Sequence, residues 1–308
     1  MSQIGMYAES WSATWSGDSN NLLNQLTTGS SAITVVNIAF AQPDNSYVKG
    51  QNSFANTGLE FSDTWAVVVG CIKAMTTNGI KVMLSVGGGS YWSTPKTLNV
   101  AGCIALYQDL GCTGIDVDWE VGVSDAASLT AALTSLHNAG CARLSFAGFS
   151  TGAYGPSTGD TYKGMSIPAM EACGSFIDWI NIMAYDAGSS YDPLGAFTCY
   201  RIYYKGPLNI GFEPGTQSWG DKVIQMTDID AACNWVKKDG RVNGVFFWSN
   251  KKDTGASPAM PLEIAEVVKI FGSATTTTTT PVTSTPTAPI SSSCACPNCQ
   301  HALNLILA

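Results

Sequence analysis

Histidine is nearly missing from this chain: His137 and His301 are the two present in 308 residues. A Ser-His-Asp triad or a multi-histidine zinc site would have to be built on one of them, which sets that chemistry aside. Charge is scarce too, at 12% of residues, about half the usual quarter. What charge there is runs acidic, with 23 Asp and Glu against 15 Lys and Arg and a net charge of −8. That balance excludes a nucleic-acid partner. No run approaches the ~18 consecutive apolar residues of a membrane span. No Asn-x-Ser/Thr acceptor occurs, and the first residues show neither a basic start nor an apolar stretch of the signal-peptide kind. Chemistry here is expected to run on carboxylates and aromatics, with no metal and no cofactor.

Apolar residues make up 45% of the chain, enough for a sizeable core. Seven cysteines (Cys71, Cys103, Cys112, Cys141, Cys173, Cys199 and Cys233) lie before residue 272, and an odd number cannot all pair within the body. Buried free thiols are the expected state.

Composition breaks near Gly272. Of the 21 residues 273–293, 17 are Ser, Thr or Pro, so no packed core can form there and an extended linker is expected. Residues 294–308 form a short tail holding Cys294, Cys296, Cys299 and His301. Two well-separated Cys-x-x-Cys pairs are missing, so the tail is read as disulfide-bonded or disordered and not as a metal site. Domain organisation is therefore a body over 1–272, a linker over 273–293 and a tail over 294–308.

Within the body, eight short β-branched runs predict strands: Ile4 to Tyr7, Thr34 to Phe40, Lys81 to Val86, Gly114 to Trp119, Leu144 to Phe149, Trp179 to Tyr185, Pro207 to Phe212 and Gly244 to Trp248. Helical segments fall between them, such as Ser62 to Asn78, Ala126 to Ala139 behind Ser124 and Asp125, and Asp228 to Asp239 closed by Gly240. Eight alternations of strand and helix predict an α/β fold, a (β/α)8 TIM barrel. A doubly wound open sheet is the alternative, but no Gly-x-Gly-x-x-Gly follows the first strand.

The fourth strand carries the chemistry. It reads Ile115-Asp116-Val117-Asp118-Trp119-Glu120, and period-two alternation puts Asp116, Asp118 and Glu120 on one face, ~6.6 Å apart in succession. The acids are expected to point into the barrel, with Ile115, Val117 and Trp119 meeting the helices. Inward carboxyls this close cannot all ionise, so one should keep a proton near neutral pH. Glu120 stands furthest toward the C-terminal rim, where barrel enzymes do their chemistry, and reads as a general acid.

These residues resemble the signature strand of the chitinases of glycoside hydrolase family 18, Asp-x-x-Asp-x-Asp-x-Glu. Other parts agree: Ser85-Val86-Gly87-Gly88 is similar to the family's Ser-x-Gly-Gly, and Met183-Ala184-Tyr185-Asp186 to its Met-x-Tyr-Asp. Trp248 at the end of strand eight is similar to the tryptophan that floors the family's sugar pocket. One departure is Thr113, which stands where the family has its first Asp.

The resemblance implies an endo-acting chitinase that cleaves β-1,4-linked N-acetylglucosamine with retention, the substrate's own acetamide acting as nucleophile. It implies Glu120 as acid and base, Asp118 on the acetamide N–H, Asp116 sharing the proton of Asp118, and Tyr185 donating to the acetamide oxygen. Trp248, Met183 and Asp186 would complete the pocket. Tyr7, Phe40 and Trp92 are further candidates for stacking on sugars. Only about 30 residues separate strands seven and eight, too few for the extra α+β wall some members carry, so a shallow open groove is expected. An endo-β-N-acetylglucosaminidase acting on N-glycans and a non-catalytic chitin-binding lectin remain as alternatives. The expected partner is chitin or its oligosaccharides, the expected state a monomer, and the expected location extracellular.

Overall fold

The computed structural model describes residues 2–12, 26, 29, 31–91, 97–155, 161–187, 192–215, 223–250 and 260–272. The predicted linker and tail lie outside them, as do Trp15, Trp92 and Trp219.

Eight parallel strands close into a barrel in chain order: β1 (Gln3–Glu9), β2 (Val35–Ala41), β3 (Lys81–Gly87), β4 (Gly114–Asp118), β5 (Leu144–Phe149), β6 (Trp179–Met183), β7 (Leu208–Phe212) and β8 (Gly244–Phe247). Each expected strand is present, within two residues at its ends. The described helices are α1 (Trp65–Thr77), α2 (Val100–Leu110), α3 (Ala126–Asn138), α4 (Ile167–Cys173), α5 (Pro193–Tyr203), α6 (Met226–Lys238) and α7 (Met260–Phe271). Nearly every strand residue is buried, as a parallel sheet covered on both faces requires.

Helix starts differ from expectation in instructive ways. Asp125 is the N-cap of α3, but its side chain makes no capping bond, because a 3-10 turn over Val123–Asp125 leads into the helix. Helix α6 begins two residues earlier than its acidic run implies. There Gln225 and Asp228 form a reciprocal capping box, in which the Gln225 side chain accepts from the third helical N–H and Asp228 accepts from the Gln225 N–H.

Alternation divides the side chains as the sequence requires. Ile115, Val117 and Trp119 join the layer between sheet and helices, and Trp119 Nε1 donates to Ser128 Oγ on α3 at 2.7 Å. Val35, Met83 and Trp179 close the barrel floor, with Lys81 and Arg143 lying 5.6 and 6.0 Å from the Trp179 ring centre. The upper lumen holds Tyr7, Phe40, Tyr185 and Phe246. Among the described residues Cys103, Cys112, Cys141, Cys173 and Cys233 are free thiols, and Cys103, Cys112, Cys173, Cys199 and Cys233 are buried. No described helix is long and apolar enough to cross a membrane.

Candidate active site

Asp116 sits at the centre of the lumen, fully buried. Ser85 of β3 and Ser145 of β5 are its register partners on either side. Their hydroxyls donate to it, Ser85 Oγ to Oδ2 at 2.8 Å and Ser145 Oγ to Oδ1 at 2.6 Å. Tyr7 Oη donates to Oδ2 at 2.8 Å. The direction of that bond is fixed from behind. Asn181 Nδ2 donates to Tyr7 Oη at 3.3 Å, and Asn209 Nδ2 donates to Asn181 Oδ1 at 2.9 Å and to Gln3 Oε1 at 2.8 Å. With its oxygen occupied by Asn181, Tyr7 has one hydrogen to give, and Asp116 takes it. Burial raises the pKa of Asp116, while the three hydroxyl bonds favour its charged form and oppose that rise.

Asp118 is held differently. It is buried, and its Oδ1 has no hydrogen-bond partner among the described residues. Burial first, then the charges of Glu120 and Asp116, push its pKa well above the carboxylate value. Beneath Glu120 and above a hydroxyl-bound Asp116, the surroundings of Asp118 thus favour its protonated form.

Glu120 lies just past the last residue of β4 and is half-buried. A run of glycines makes room for it. Gly87 has φ +113°, and a Cβ there would stand 2.0 Å from the Asp118 carbonyl oxygen. Gly88 N–H donates to that same carbonyl at 2.7 Å. A Cβ at Gly89 would lie 3.4 Å from Glu120 Oε1, so the carboxyl rests over this turn. A small cleft opens here, lined by Pro43, Tyr91, Asp118 and Glu120 together with Gly87 and Gly88.

Tyr185 faces the acids from β6, beyond the strand's end at Met183. Its ring lies over Gly211, where a Cβ would come within 2.7 Å of Cε1, and meets Phe246 edge-on at 6.0 Å. Burial, then the charges of Asp118 and Glu120, push its pKa well up, so its hydroxyl stays protonated as a donor. Met183 packs on the same aromatic group, and Asp186 turns the chain away with φ +50°.

Trp248 stacks on Phe40 at 5.6 Å with 19° between rings and meets Tyr7 edge-on at 5.7 Å. Of the residues singled out from sequence, Asp116, Asp118, Glu120, Tyr185, Met183, Phe40, Tyr7 and Trp248 thus converge on one end of the barrel. Trp92 lies outside the described residues. Tyr7 takes a different part from the stacking role expected of it. It is 1% exposed, with its hydroxyl committed to Asp116, so it serves the carboxyl and offers no open face to a sugar. Thr113 also stands apart: its Oγ1 donates to the Val82 carbonyl at 3.0 Å, and the three donors to Asp116 come from elsewhere.

Sequence reasoning missed Ser85 and Ser145 as partners of Asp116, and Asn181 and Asn209 behind Tyr7. Only strand register brings Ser85 and Ser145 to the carboxyl, and Asn181 and Asn209 to the hydroxyl that serves it. Trp11, 43% exposed and 6.1 Å from Phe40 ring to ring, extends the aromatic surface outward. No group of three or more metal-binding side chains occurs among the described residues.

Residues 3–219 match the family model for glycosyl hydrolases family 18, a span that holds the acids and Tyr185 but not Trp248. Endochitinase 1 of Metarhizium anisopliae is 26% identical over 195 residues, 55% of this chain and 45% of that protein, so the chain matches less than half of that relative. Among solved structures, a family 18 chitinase from Pseudoalteromonas aurantia superposes with a TM-score of 0.65 at 19% identity, covering 87% of this chain and 100% of the other. The catalytic domain of a family 18 chitinase from the fern Peteris ryukyuensis gives 0.60 at 20% identity, over 88% and 99%. At such identities these two likenesses speak for the barrel alone.

Proposed function

The chain belongs to glycosyl hydrolases family 18, and from that premise we propose that it is an endo-acting chitinase, cleaving β-1,4-linked N-acetylglucosamine polymers with retention. The observation that carries this reading is the row of acids along and just past β4, in which a buried Asp118 stands between a hydroxyl-bound Asp116 and the rim acid Glu120. A retaining glycosidase of the usual kind sets an ionised nucleophile ~5 Å from its acid. Asp118 fits that part poorly, since it is deeper on the acid's own strand and its surroundings disfavour the ionised carboxylate.

The proposed reaction uses the acetamide of the sugar at the cleavage point as nucleophile. Its carbonyl oxygen attacks the anomeric carbon as Glu120, which carries a proton of its own in the substrate complex, gives that proton to the leaving glycosidic oxygen. Asp118 passes its proton toward Asp116, accepts the acetamide N–H and faces the oxazolinium cation that forms. Tyr185, neutral and aimed at the same acids, donates to the acetamide oxygen. Glu120, now a carboxylate, takes a proton from the water that opens the ring intermediate. Trp248 supplies the flat surface under the sugar, with Met183 and Asp186 beside it. We further propose that the protein acts as a monomer outside the cell, in keeping with an insoluble polysaccharide substrate and the Ser/Thr/Pro-rich segment 273–293.

The test sets chromogenic chito-oligosaccharides beside insoluble chitin and an N-glycopeptide. Turnover of the chito-oligosaccharides is expected. Chitin binding with no turnover of any substrate would instead indicate a lectin, and cleavage of the glycopeptide alone an endoglycosidase for N-glycans.

A further inference from the structure

Backbone pairing between β1 and β8 ends at Met6 opposite Phe247, one residue short of Trp248. Beyond that point Glu9 carries the hydrogen bonds from β1 to the chain after β8 among the described residues. Ser249 Oγ donates to Glu9 Oε1 in a short hydrogen bond, and the Glu9 N–H donates to Asn250 Oδ1 at 2.8 Å. On its other side Trp248 is fixed by its own N–H, which donates to the Phe212 carbonyl of β7 at 2.8 Å. The tryptophan is thus gripped from both neighbours, by β7 through its own backbone and by β1 through the two residues that follow it.

The grip comes at a cost. Glu9 is 4% exposed, Ser249 is fully buried, and Glu9 Oε2 has no hydrogen-bond partner among the described residues. A buried carboxyl with so few donors is unfavourable where an apolar side chain would pack without penalty. Stability of the barrel wall does not explain an acid here; the geometry its carboxyl imposes at Ser249 does.

We propose that Glu9 is a positioning residue, clamping the chain after β8 so that the Trp248 ring holds its angle against Phe40 and Tyr7. This rests on the reading of Trp248 as the surface under the sugar. Glu9 itself touches no substrate in this assignment. Its contribution should therefore vanish when the ring it positions is gone, which a plain stabilising role would not require.

A double-mutant cycle on chito-oligosaccharide hydrolysis makes the test, with Tm measured for every variant. Trp248→Ala should lower kcat/KM roughly 30-fold, the loss expected for about 80 Å² of apolar contact. Glu9→Ala should lower kcat/KM by roughly 10-fold or more, since a misplacement near 1 Å can cost up to about 100-fold. In the Trp248→Ala background the same Glu9→Ala change should have almost no further effect. Glu9→Gln keeps an acceptor for Ser249 and should restore nearly full activity. Ser249→Ala removes one bond of the clamp without altering Glu9, and should show a smaller loss that is likewise masked by Trp248→Ala. Independent, multiplying losses from Glu9→Ala and Trp248→Ala would overturn the clamp. If Trp248→Ala alone left kcat/KM intact, the sugar-surface reading of Trp248 would fail instead, and the two failures are told apart by that single variant.

Discussion

Substituting glutamine for Glu120 should lower kcat by ~10²–10⁴-fold while oligosaccharide binding stays nearly unchanged. Glutamine fills the same volume over the Gly89 turn, so the pocket keeps its shape. It has no transferable proton, so the leaving oxygen departs as an unprotonated alkoxide. The change also removes one of the two charges that raise the Asp118 pKa. Asp118 should therefore ionise more readily in the variant, which offers the acetamide N–H its acceptor and helps the ligand stay bound. Turnover of a chromogenic oligosaccharide and calorimetric binding of an unlabelled one measure the two effects separately. Retention of more than roughly a tenth of the normal turnover, far above the expected loss, would remove Glu120 from its role.

Asp118→Asn should produce an opposite pair of effects, activity falling while stability climbs. Loss of the carboxylate facing the cation is expected to lower kcat by ~10²–10³-fold, the usual scale for one electrostatic partner of a transition state. The stability effect follows from linkage. In the folded chain Asp118 keeps its proton well above the ordinary value of 3.8, while in the unfolded chain it ionises near that value. Across that window the folded state binds more protons than the unfolded one, so stability falls as pH rises. Below about pH 4 both states are protonated and the group contributes no slope. Asparagine never ionises, so the variant should lose this decline and gain Tm relative to the parent as pH is raised from 4 toward 8. Thermal melts across that range give the answer, and parallel Tm curves for the two proteins would show that folding does not raise the Asp118 pKa.

Much of this was legible in the chain itself, and the reasons differ by element. The eight strands stood out because both of their faces are covered, which forces β-branched runs such as Thr34 to Phe40 and Leu144 to Phe149. Asp116, Asp118 and Glu120 were readable because period-two alternation needs nothing beyond the sequence. Their electrostatic separation was not. It depends on Ser85 and Ser145 lying in register with Asp116 and on Asn181 filling the oxygen of Tyr7, relations between strands up to 174 residues apart. Tyr7 was read as a sugar platform because an aromatic at a strand end suggests one, and only the hydroxyl's partner shows otherwise. Glu9 gave no signal at all: an acid at a strand terminus looks solvated until β8 is brought beside it. The capping box at Gln225 was overlooked for a simpler reason, since glutamine is an unusual N-cap.

In the proposed reaction the substrate's acetamide, and not a carboxylate of the protein, attacks the anomeric carbon while Glu120 gives the proton. The most direct measurement is proton NMR of the first minutes of hydrolysis, comparing an N-acetylglucosamine oligomer with a cello-oligomer of equal length. The N-acetylated oligomer should be cut with the new reducing end released as the β-anomer, and the cello-oligomer should be left intact. Release of the α-anomer, or comparable cleavage of the cello-oligomer, would contradict the proposed reaction.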